Sequence, residues 1–148
     1  MNTPYHSVEI VIETQSTTDA LVAAFLPGKI QSGSFAPNGE VLGNDSGDST
    51  ITRMRYEGPD RTKLVVCPSP SNAQSEDERI KQLCDELNLL PKAARREWDE
   101  ADLREFYVGY EVDSIEYSYS SRFSQDTIRA AAALQAAIGI VMYAGRND

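Results

Sequence analysis

Histidine is almost missing from this chain. His6 is the only one among 148 residues, so a metal site built on a histidine pair, or a general base backed by a second histidine, has no residues to draw on. Beside the first apolar alternation, His6 is expected at an edge or on the surface. Cysteine is scarce too: only Cys67 and Cys84 occur, on segments patterned as a strand and as the apolar face of a helix. Buried free thiols are expected, with a single disulfide as the other reading. Cys67 has no activating neighbour in sequence, which argues against a nucleophile. Positive charge is also short, with 14 Lys and Arg against 23 Asp and Glu and a net charge of −9. Such a chain has little with which to grip phosphate backbones or anionic membranes. Neither nucleic acid nor membrane is therefore an expected partner, while a basic protein is electrostatically easier. The longest apolar run, around Ala130 to Val141, is too short and too interrupted to cross a bilayer. The opening Met1-Asn2-Thr3-Pro4-Tyr5-His6 has no charged region followed by an apolar run, so a soluble, cytoplasmic chain is expected.

Cofactor signatures are missing as well. No Gly-rich loop runs into a lysine at a helix start, and Gly43 and Gly47 flank polar residues instead. Asn44-Asp45-Ser46-Gly47-Asp48-Ser49 crowds oxygen-bearing residues as a calcium loop does, but lacks the ligand spacing and the closing glutamate, so a solvated turn is expected. No cofactor and no metal are assigned, and an enzyme is the less favoured class.

What the chain has is patterning. Phe106, Val108, Tyr110 and Val112 alternate with polar or small residues in the two-residue period of a half-buried strand. The phase then shifts to Ile115, Tyr117 and Tyr119, which fits a bulge near Asp113-Ser114 better than a tight turn. Phe123-Ser124 reads as a staple and cap, with Ile128, Ala131, Leu134 and Ile138 as the helical stripe and Gly139 as the stop. Ile140-Val141-Met142-Tyr143 then reads as a central strand buried on both faces. Of the seven tyrosines, those in this region are expected to divide between core and surface rather than form a stacking platform.

Earlier in the chain, Val8, Ile10 and Ile12 mark a first strand, and Ser16 with Asp19 resembles a capping box for a helix ending at Pro27-Gly28. The same order of strand, cap and helix at Ile115 to Leu134 makes a two-half pseudo-repeat one reading. Gly28 to Ser49 reads as a long loop or a loose hairpin around Pro37-Asn38-Gly39. Thr50 to Tyr56 and Lys63 to Cys67 read as an antiparallel hairpin. Ser75 caps a helix whose stripe is Ile80, Leu83, Cys84 and Leu87. Lys92 to Glu105 reads as a second, highly charged helix anchored by Ala94, Trp98 and Leu103.

Together these elements predict one α+β domain over residues 1–148. Its sheet is mostly antiparallel, with helices beginning near Ser16, Ser75 and Ser124 on one face and a terminal strand-helix-strand unit as a parallel, right-handed crossover. One cluster stands above the background. Glu97, Trp98, Asp99, Glu100 and Asp102, with Glu105 just beyond, surround the only tryptophan with carboxylates, a combination suited to binding a basic protein. The plainer reading is a solvated helix with Trp98 in the core, its charge offset by Arg95, Arg96 and Arg104.

The segment Phe106 to Ala144, together with the strand and Ser-capped helix opening at Val8, resembles small bacterial domains to which no function is assigned. Related acidic α+β domains act as immunity proteins beside polymorphic toxins. The resemblance implies a cytoplasmic, immunity-type inhibitor of a bacterial toxin, a protein-binding module. It covers the two ends of the chain and carries no functional residue across. A small-ligand-binding or hydrolytic domain, and a structural or oligomerisation domain, are the alternatives.

Overall fold

The computed structural model describes residues 5–36, 39–44, 49–56, 60–69, 71–112 and 122–144, with only the backbone described at 5–6, 33–36, 111–112 and 144. Its strands are β1 (Tyr5–Thr14), β2 (Ile30–Ala36), β3 (Gly39–Asn44), β4 (Thr50–Arg55), β5 (Thr62–Cys67), β6 (Leu103–Val112) and β7 (Ala137–Ala144). Its helices are α1 (Asp19–Phe25), α2 (Glu76–Leu87), α3 (Lys92–Glu100) and α4 (Gln125–Ala133). The strands form one sheet in the order β2-β3-β4-β5-β1-β6-β7. Every pairing is antiparallel except β6 with β7, which are parallel and joined through α4. The expected α+β architecture, with its parallel terminal unit, is therefore present.

One row of side chains explains the core. Cross-strand partners share a face, and Leu42, Ile51, Val66, Ile10, Phe106 and Ile138 are successive partners from β3 to β7. The helices pack on that face through Leu21, Leu26, Ile80, Leu83, Leu87, Trp98 and Leu134, all buried in one cluster with the row from Leu42 to Phe106, against which Ile138 packs partly buried. Among the described residues the opposite face carries no helix and shows Val41, Thr52, Val65, Glu105 and Tyr107. At the far side, the stretch that read as loop or loose hairpin is a hairpin of β2 and β3. Gly39 belongs there because a Cβ would lie 2.7 Å from the Arg53 carbonyl.

The cap of α2 forms as expected. Ser75 Oγ accepts the Glu78 N–H, and the Glu78 carboxylate accepts the N–H of Gln74. Five other expectations need correcting. Ser16 does not cap α1: the N-cap is Thr18, which makes no side-chain cap bond, and the orphan N–H of Leu21 is taken by Glu97 Oε1 at 2.8 Å. Helix α3 stops at Glu100 because Ala101 turns extended and the Asp102 N–H bonds to the Glu13 carbonyl, which places Leu103 in β6. In α4 the inward stripe is Thr127, Ala131 and Leu134, while Ile128 is 51% exposed. Phe123 packs against the core, but its expected staple partner faces water. Helix α4 ends at Ala133, not Gly139. Gln135 adopts φ 56°, and the bonds Gln135 N–H to Ala132 O and Ala136 N–H to Ala131 O close a Schellman motif with glutamine in the left-handed position. Lastly, among the described residues β7 is the outermost strand of the sheet and not a central one. The bulge expected near Asp113-Ser114 lies outside the described residues.

Candidate functional site

The five residues of the acidic cluster divide between the interior and the surface. Trp98 is fully buried and its Nε1–H donates to the Leu134 carbonyl at 3.0 Å, so it joins α3 to the end of α4 and is closed to a partner as a surface anchor. Glu97 is also buried and serves as the remote cap of α1. Asp99, Glu100 and Asp102 are exposed. Asp99 accepts from Arg95 Nε at 3.1 Å and Glu100 accepts from Ser16 Oγ at 3.1 Å, contacts in open water that hold little energy. What reaches the surface is a carboxylate rim without its tryptophan.

Arg104 connects that rim to β7. Its guanidinium donates to the carbonyls of Trp98, Asp99 and Ala101, which satisfies the last turn of α3, and also to the carbonyl of Gln135. The end of α3 and the start of β7 are thereby held together, with Glu105 of β6 opposite Ala137.

Along β7 the side chains show what the sequence reading missed. Ile140 is 55% exposed, Met142 62% and Tyr143 46%. Ile140 and Met142 pair with Val108 and Tyr110 and so point to the helix-bearing side, at the margin of the core. Gly139 and Gly109 show what lies on the open side. A Cβ on Gly139 would lie 2.9 Å from the Glu105 carboxyl carbon and 3.0 Å from the Tyr107 ring, and one on Gly109 would lie 3.2 Å from the Tyr143 ring. Two tyrosines therefore flank the edge on the open face, while Tyr110 is buried in the core. Beyond β7 no further strand is paired among the described residues, and Ala137–Ala144 contains no charge and no proline. A long, uncharged, apolar edge of this kind is a template for strand addition.

The remaining candidates contribute no chemistry. Neither cysteine is in a disulfide: Cys84 is buried and Cys67, against expectation, is exposed. Burial pushes the Cys84 thiol up to about 11. Partial burial, helped by the Glu9 carboxylate 3.6 Å from its sulfur, also raises Cys67, which is the reverse of an activated nucleophile. Among the described residues no group of three His, Cys, Asp or Glu side chains could hold a metal ion. His6 lies in β1, and its side chain, like residues 45–48 of the calcium-like loop and Tyr117 and Tyr119, lies outside the described residues. Among the described residues no helix is long and apolar enough to cross a membrane. No protein-family model, curated protein or solved structure matches the chain.

Proposed function

We propose that this chain is a protein-binding module that accepts a partner strand along β7, most concretely as an immunity-type inhibitor of a basic bacterial toxin. The main support is the edge itself. Eight consecutive residues without a charge form the outermost strand of the sheet among the described residues, with Ile140, Met142 and Tyr143 exposed along it. Main-chain pairing supplies affinity in strand addition, and alternate side chains supply selectivity. Asp99, Glu100 and Asp102 at the start of β7 would draw a basic partner to the edge. A second copy of the chain is the other candidate occupant. Its net charge of −9 would repel itself there, which favours a basic partner over a symmetric dimer.

The test uses the tagged full-length chain in its native host, followed by binding measurements with the purified partner. A basic protein that arrests growth when expressed without this chain is expected. Met142→Lys places a charge on the edge at an exposed position, so folding should be kept while affinity falls at least about tenfold. An acidic partner, or affinity unchanged by Met142→Lys, would refute strand addition at β7. A concentration-dependent dimer abolished by the same substitution would assign the edge to self-association.

A further inference from the structure

Arg79 raises a separate question at the other end of the helix layer. It belongs to α2, is 7% exposed, and lines a cleft of about 750 Å³ between that helix and the ends of the strands around Ser49 and Ser69. Its Nη2 donates to the Ser69 carbonyl at 2.6 Å and its Nη1 to Gln82 Oε1 at 3.4 Å. Both acceptors are neutral, and among the described residues no carboxylate forms an ion pair with it. Arg53 offers the contrast within the same molecule. That guanidinium is more exposed and yet is paired with both Glu40 and Asp19. A buried cation without a counter-charge is expensive, and a guanidinium has five N–H donors.

The cleft around it is suited to an amphipathic molecule. Phe25, Val66, Leu83 and Leu87 give it an apolar floor. Along its polar wall the hydroxyls of Ser49 and Ser69 lie 2.8 Å apart, and Gln82 Nε2 donates to Asn72 Oδ1 at 3.2 Å. Its volume falls within the range of small-molecule sites. Asp85 and Glu86 also line it and would repel a multiply charged anion, whereas one carboxylate facing one guanidinium forms a strong, directional pair. We propose that this cleft binds a small monocarboxylate with an apolar body, its carboxylate on Arg79 and its body on the floor between α2 and the sheet. This site is independent of the β7 edge.

Titration of the full chain with sodium octanoate, octan-1-ol and inorganic phosphate, followed by backbone amide shifts and calorimetry, tests the assignment. Octanoate is expected to saturate, shifting the amides of Ser69, Arg79, Gln82 and Leu83, with octanol at least about tenfold weaker and phosphate silent. Arg79→Met should bring octanoate down to the octanol level. If that variant does not fold, Ser49→Leu, which narrows the cleft while keeping Arg79, should weaken octanoate and octanol together. Equal binding of the acid and the alcohol, phosphate saturating the same amides, octanoate binding unaltered by Ser49→Leu, or no saturable shift would each overturn the proposal.

Discussion

A buried thiol makes a narrow, measurable contribution. Burial raises the Cys84 pKa from 9.0 to about 11, with Lys81 opposing the shift and Asp85 adding to it. The folded protein therefore holds this proton more tightly than the unfolded chain does. The resulting stabilisation is complete below about pH 9 and is lost as pH rises through about 11. Cys67 shifts the same way, first through partial burial and then through Glu9, so it must be silenced before Cys84 can be read. In a Cys67→Ser background, the denaturation midpoint should fall between about pH 9 and 11 more steeply with Cys84 than with Cys84→Ala. Slopes are compared because the alanine leaves a cavity that lowers stability at every pH. Parallel slopes would mean that the thiol titrates as a free one.

Helix α4 shows where an element can be read from sequence and where it cannot. Its start was legible because capping is local chemistry: Ser124 Oγ accepts the Thr127 N–H at 3.1 Å, and Asp77 holds the Ser124 N–H. Its rotation was not legible. Four successive alanines, Ala130 to Ala133, offer nearly the same surface in every direction, so the apolar period could not decide between Ile128 and Thr127. The strands of the core were legible because a period of two assigns faces without ambiguity, as Val8, Ile10 and Ile12 show. The end of α4 was hidden by a residue type, since glutamine occupies a left-handed position where glycine is the usual signal. That position carries a test. A side chain at φ 56° is strained, and glycine would relieve the strain at the cost of a more flexible unfolded chain and the long 3.4 Å contact from Arg104 to Gln135 Oε1. Gln135→Gly should be neutral or stabilising by up to about 1 kcal/mol in chemical denaturation. A loss beyond about 1 kcal/mol would show that the Arg104 contact holds the end of the helix. The carboxylates of the candidate site were legible as a cluster, but the inward turn of Glu97 and Trp98 depends on the distant N–H of Leu21 and the carbonyl of Leu134. Contacts spanning 76 and 36 residues leave no local trace.

At the scale of the whole molecule, charge and shape would divide the work of the proposed strand addition. The net charge of −9 is spread over the chain, but Asp99, Glu100 and Asp102 concentrate carboxylates at the beginning of β7, where an incoming strand would start to pair. In that reading long-range attraction would act before contact and govern association, whereas main-chain pairing along β7 would act after contact and govern release. Changing all three residues to lysine should therefore slow association with a basic partner by about tenfold or more at low salt, with a smaller effect on dissociation. Raising ionic strength shortens the screening length from about 30 Å at 0.01 M to about 8 Å at 0.15 M, so the gap between variant and wild type should narrow as salt is added. Stability should change by less than about 1 kcal/mol, because the pairs to Arg95 and Ser16 lie in water. Met142→Lys is the complementary change, placed where the proposed contact would be made, and should act mainly on release. Association rates for wild type and triple variant that coincide at low salt would exclude steering by this rim. The carboxylates beside β7 would then be solvation for α3 alone, and the partner's approach would have to be guided from another face of the sheet.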